Sequence, residues 1–213
     1  MAYNSYGSGF RRVTPVVLNL IIINVLVYFA QLMLDSSIEL TAKLALFSYD
    51  TGLFNPYQLL THMFAHATRD ADGSVVIFHV LFNMLGLWMF GTNLERIWGP
   101  KRFLIFYLVC GLAAGIAQML LVTNSVSYGA SGAIMGLLAA YAYYFPNTEF
   151  FFFPVPFPVK AKYFVFIVAG VDLLSGLHPG KLDDIGHYAH LGGLAMGFIL
   201  VIIWNRTNKK TFY

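Results

Sequence analysis

Long apolar runs separated by short polar breaks make up nearly the whole chain. Hydrophobic segments occupy residues 13–34, 75–94, 103–122, 128–145, 159–177 and 186–204. Each approaches the roughly 20 residues that a helix needs to cross a bilayer core. The pattern predicts six transmembrane helices. The third and fourth share an uncharged stretch from Phe103 to Thr148, broken only by the polar "TNSVS" at residues 123–127, which predicts a tight turn on the outer side. The connection from Asp35 to Ser74 is half apolar and half polar, as suits a loop with short helices in the membrane interface. The run "FFFFPVPFP", residues 150–158, reads as an interfacial loop between the fourth and fifth spans, and no internal repeat is visible.

Composition agrees with this pattern. Of 213 residues, 58% are hydrophobic and 11% charged, which leaves little for a soluble domain. The expected fold class is all-α: a polytopic membrane protein, one domain over residues 1–213, with a six-helix bundle and a membrane-interface first loop. Arg11 and Arg12 precede the first apolar run. That run is longer than the h-region of a signal peptide, about 7 to 15 residues, and no A-x-A-like site follows it, so it reads as a retained span. With the N-terminus inside, ten basic residues face the cytoplasm: Arg11, Arg12, Arg96, Lys101, Arg102, Lys160, Lys162, Arg206, Lys209 and Lys210. Three lie outside: Lys43, Arg69 and Lys181. The bias predicts both termini cytoplasmic, in a plasma (inner) membrane. The net charge of +3 is then a topology signal, and without a basic patch interleaved with aromatics no nucleic acid is expected as partner. The single cysteine, Cys110, permits no intrachain disulfide and reads as packing.

Polar residues inside spans are costly, so each is a candidate for function. His79, Asn83, Ser131 and His190 stand out. They lie in the first turns of the second, fourth and sixth spans, which all run inward, so they share one shallow layer. In "HVLFN", His79 and Asn83 are spaced i,i+4 and face the same way. Taken singly, each residue has a plainer explanation: a hydrogen bond between helices for His79 and Asn83, and a small packing residue for Ser131. Two glycine pairs shift the balance. Gly132 and Gly136 on the fourth span, and Gly193 and Gly197 on the sixth, suit close approach of two backbones. If those faces meet, Ser131 and His190 come within the roughly 2.6–3.2 Å that a nucleophile and its base require. No aspartate stands nearby in sequence, so the simplest arrangement is a dyad. A backbone N–H at the start of the fourth helix, with His79 and Asn83, supplies donors for the oxyanion formed by attack on a peptide carbonyl.

Competing motifs fail in specific ways. "GASGA" has Ala133 where the nucleophile elbow of an α/β-hydrolase needs its second glycine, and no strand precedes it. "HMFAH" spaces His62 and His66 like a zinc protease helix but has Met63 in place of the glutamate. No metal or cofactor is expected. Asp172 reads as paired locally, His178 and His187 as near the surface, and Ser175 before Gly176 as a helix end.

Four pieces in order, "YQLLTHMFAH" (57–66), "HVLFNMLGLWMFGTNLERIWGPKRFLIFYLVCG" (79–111), "GASGA" (129–133) and "AHLGGLAMG" (189–197), resemble the rhomboid family of intramembrane serine proteases. The resemblance is clearest from about Pro56 to Gly197. It implies that Ser131 is the nucleophile, His190 the general base, and His79, Asn83 and the Ser131 amide the oxyanion hole. It also implies a six-helix core that cleaves transmembrane protein substrates near their entry to the bilayer, without metal or cofactor, and a structural role for Glu95 and Arg96. Three departures stand out: Tyr57-Gln58 where some relatives carry Trp-Arg, a polar insertion over residues 67–78, and Met135 where some carry an aromatic that supports the histidine ring. The rival expectations are an inactive rhomboid-like protein that binds membrane clients, and a small transporter, which would need polar residues continuing across to the inner side.

Overall fold

A computed structural model of the chain describes residues 13–70, 72–151, 157–177 and 186–207. Arg11, Arg12, His178, Lys181, Lys209, Lys210 and residues 152–156 of the aromatic loop lie outside the described residues. Pro15 opens α1 (Pro15–Ile38), at a position where the missing N–H costs nothing. The helix overruns its expected end and stops at Glu39, which turns left-handed. The first loop then carries α2 (Leu40–Leu44), strand β1 (Leu46–Phe47) and α3 (Gln58–Thr61), the short elements expected of an interfacial segment.

The second apolar segment begins as α4 (Phe78–Gly86), passes through one π-helical turn at Leu87–Gly91 and continues as α5 (Thr92–Trp98). Gly99 and Pro100 make the corner into α6 (Pro100–Leu121). Strand β2 (Val126–Ser127) pairs antiparallel with β1. That pairing, with Gly129 at φ +129°, keeps the chain out of helix until Ser131. The expected helix start at residue 128 is therefore corrected: Ser131 is the first residue of α7 (Ser131–Tyr144). Strands β3 (Glu149–Phe150) and β4 (Val159–Lys160) pair antiparallel across the aromatic loop, and α8 (Ala161–Leu177) and α9 (His187–Thr207) follow. Among the described residues, three helices, α1, α6 and α9, are long and apolar enough to cross a bilayer. The chain is an integral membrane protein built mostly of helix.

Helix α7 occupies the centre. At 14 residues it is only about 21 Å long. Ten of those residues are buried, whereas α8 buries only Ala161, Val165 and Asp172 along one face. The neighbours of α7 approach so closely that there is no room for side chains. A methyl group on Gly193 would overlap the Gly132 carbonyl, and one on Gly197 would lie 2.5 Å from the Gly136 oxygen. A methyl group on Gly136 would meet the Cys110 sulfur at 2.5 Å, so Cys110 is a packing residue.

At the end of the bundle remote from Ser131, Trp98 packs against Phe106, Tyr144 and Trp204, and the Arg102 guanidinium lies 5.4 Å over the Trp204 ring. Glu95 is structural. Its two carboxylate oxygens accept the Val16 and Val17 backbone N–H groups at 3.0 and 2.9 Å, which satisfies orphan donors at the start of α1.

Gly193→Ala is expected to destabilise the bundle by about 1–3 kcal/mol, the usual cost of overpacking. Gly170→Ala, on a face of α8 where a methyl group meets nothing within 4 Å, is expected to be neutral or stabilising by up to about 1 kcal/mol. Unfolding midpoints of both variants in detergent check this contrast.

Candidate active site

The close contact of α7 with α9 sets the geometry. Ser131 stands in the first turn of α7, where backbone N–H groups have no helical acceptor. His190 lies one turn into α9, and the Gln118 side chain of α6 accepts the Ala189 N–H at 3.2 Å, fixing that turn. Across the glycine interface the Ser131 Oγ is 2.9 Å from His190 Nε2. This is a distance at which a hydroxyl hands its proton to an imidazole.

His79 reaches the same place from the second residue of α4. Its Nδ1 accepts the Ala67 backbone N–H at 3.1 Å, so the neutral ring carries its proton on Nε2. That Nε2–H faces the gap left by Gly129. A methyl group there would sit 3.1 Å from His79 Nε2 and 3.8 Å from Ser131 Oγ. Gly129 is therefore required twice, for its positive φ and for this space. Asn83, one turn further along α4, is buried and donates one amide N–H to the His79 carbonyl at 2.8 Å. Ser131, His190 and His79, three of the four residues expected from the sequence, thus gather at one end of the bundle, and Asn83 joins them through the His79 carbonyl.

The first loop holds this arrangement from behind. Gln31 of α1 clamps the backbone of His66, accepting its N–H at 3.0 Å and donating to its carbonyl at 3.0 Å. The buried His66 ring meets His79 edge-on at 5.2 Å. The polar insertion is closed at its base, where the Val76 N–H bonds back to the Thr68 carbonyl at 3.0 Å. Gln58, in place of the arginine of some relatives, anchors the loop within itself by accepting the Asn55 N–H at 3.0 Å. His62 donates to the Gln58 carbonyl at 2.9 Å and packs on Gly115, and its own carbonyl receives the Gly129 N–H. The two histidines of "HMFAH" thus face different neighbours.

Two expectations need correction. Asp172 is not paired within its own helix: its Oδ1 lies 3.1 Å from His190 Nδ1 and 2.7 Å from His187 Nδ1, both on α9. His187 is buried, not superficial. Ser175 and Gly176 lie in the last turn of α8, which ends at Leu177, and the Gly176 carbonyl accepts the Tyr188 hydroxyl. The signal for Asp172 was present in the sequence, an ionisable residue in an apolar helix on the face of Ala161 and Val165. Its distance along the chain from His190 concealed the partnership. Met135 packs against the core, and the ring beside His190 is that of His187, edge-on at 6.5 Å.

A serine and a histidine are thus in hydrogen-bond contact inside an apolar helical bundle. The model of the rhomboid domain matches residues 54–207, and the chain belongs to the rhomboid family. It is 34% identical over 142 residues to Rhomboid protease GluP of Bacillus subtilis, covering 67% of this chain and 25% of that protein. RHOMBOID-like protein 4 of Arabidopsis thaliana is 36% identical over 128 residues, 60% of this chain and 30% of its own length. Rhomboid protease AarA of Providencia stuartii is 28% identical over 215 residues, 88% of this chain and 71% of that protein. The match thus spans less than a third of the first two relatives' length.

Burial, and then the charge of nearby His79, hold the His66 ring neutral down to about pH 3. An unfolded histidine takes up its proton near pH 6.5, so between these values unfolding consumes a proton. The stability this contributes is complete above pH 6.5 and is lost as pH falls toward 3. The unfolding midpoint is expected to drop between about pH 7 and about pH 4, and to drop less steeply in His66→Phe. Equal slopes would contradict it.

Proposed function

We propose that this protein is an intramembrane serine endopeptidase that cleaves single-span membrane proteins near the outer membrane face. The observation that carries this assignment is the 2.9 Å contact between Ser131 Oγ and His190 Nε2. His190 takes the hydroxyl proton as Ser131 attacks the peptide carbonyl carbon, and a tetrahedral oxyanion forms. The His79 Nε2–H, the Ser131 backbone N–H and the second N–H of Asn83 stabilise that charge. His190 then passes the proton to the leaving amine, and an acyl ester remains on Ser131. Water, deprotonated by His190, hydrolyses the ester and restores the serine.

The family and the apolar helices support this assignment, as does GluP, a relative named as a protease. The bundle has six spans with both termini cytoplasmic: α1, the rod from α4 through α5, and α6 to α9. The site then opens to the outer side, where water for deacylation is available. The membrane is the plasma (inner) membrane.

Purified protein in detergent, given a model single-span substrate, is expected to produce two fragments. Ser131→Ala and His190→Ala are expected to produce none, and His79→Ala or Asn83→Ala to lower kcat by about 100- to 1000-fold. Equal cleavage by wild type and Ser131→Ala would sink the assignment, and no cleavage by any form would favour a client-binding protein.

A further inference from the structure

We propose that Asp172 is a positioning residue that turns the Ser131–His190 pair into a three-residue relay. This rests on the protease assignment above and deepens it.

A carboxylate can only accept hydrogen bonds, so its 3.1 Å contact with His190 Nδ1 requires the imidazole proton on that nitrogen. Nε2 is then bare and can take the Ser131 proton across 2.9 Å. With the proton on Nε2 instead, the same ring would be a donor towards Ser131 and useless as a base. When His190 takes the serine proton it becomes a cation, and the adjacent carboxylate stabilises that charge as it forms.

Burial makes the pairing consequential. Only 8% of the Asp172 side chain and 14% of the His190 side chain are exposed, so little water competes with the bond. A carboxylate on an otherwise apolar helix is costly unless donors meet it. Two do, on the same oxygen: His190 Nδ1, and His187 Nδ1 at 2.7 Å from the preceding turn of α9. His187, itself buried, thereby fixes the carboxylate opposite His190. The arrangement also bears on Met135. Where some relatives support the histidine ring by an aromatic one turn after the serine, here the hydrogen bond to Asp172 orients it.

A carboxylate that merely tied α8 to α9 would leave the same distances, so the test must separate orientation from stability. Substrate cleavage, the rate of Ser131 labelling by a fluorophosphonate probe and the unfolding midpoint are measured for wild type, Ser131→Ala, Asp172→Asn and Asp172→Glu in detergent. In Asp172→Asn the side-chain amide can donate to Nδ1 and favours the wrong tautomer. The expected result is a loss of at least about 100-fold in kcat and in labelling rate, with KM changed less than about threefold. Asp172→Glu, which keeps the carboxylate, is expected to recover at least about tenfold of that loss.

Asp172→Asn within about threefold of wild type, with Ser131→Ala inactive, overturns the relay and leaves the protease assignment standing. Equal activity of Ser131→Ala and wild type overturns both. Should Asp172→Asn fail to fold, Asp172→Glu decides. Retained labelling at about a tenth of the wild-type rate or better supports the relay, and labelling as slow as in a folded His190→Ala variant overturns it.

Discussion

The contact between the glycine faces of α7 and α9 is the constraint on which the site depends. A serine hydroxyl and an imidazole meet at 2.9 Å only if the two backbones approach more closely than side chains normally permit. Gly193 touches the carbonyl of Gly132, and Gly197 that of Gly136, one turn and then two turns below the catalytic candidates. In a bilayer no hydrophobic force presses helices together, because lipid is as apolar as the side chains. Dense backbone contact replaces it, and small residues are what make that contact possible. The same interface that holds the bundle together therefore sets the distance on which the proposed chemistry relies.

A second set of bonds determines what each polar group can do. His79 becomes a donor towards the site because the Ala67 N–H occupies its other nitrogen. Ala67 is in place because Gln31 clamps the preceding residue from α1 and because the insertion closes on itself between Thr68 and Val76. Glu95, buried and far from Ser131 in the bundle, holds the start of α1 and so supports the same chain of contacts from the other end. His79, Gln31 and Glu95, all polar side chains in an apolar setting, thus each have partners that fix their direction.

Asp172 shows the limit of pattern reading. Its presence in an apolar helix was visible, and its helical face followed from the spacing to Ala161 and Val165. Its meaning depended on which helix lay opposite. Eighteen residues separate it from His190 along the chain, yet the two side chains are in hydrogen-bond contact. Local pairing was the natural reading of an isolated aspartate, and the helix packing replaced it with a link between α8 and α9.

The sequence alone determined the membrane class and the helical character of the chain, and it nominated four candidate site residues. The physical reasons are local: apolar run length, i,i+4 spacing, and small residues repeating on one face. Only the tertiary structure decided that α7 starts at Ser131, because β2 must pair with β1 and Gly129 must turn before the helix can begin. It alone decided the tautomers as well. Which nitrogen of an imidazole carries the proton depends on the partner of the other nitrogen, and for His79 and His190 those partners, Ala67 and Asp172, come from other elements of the fold.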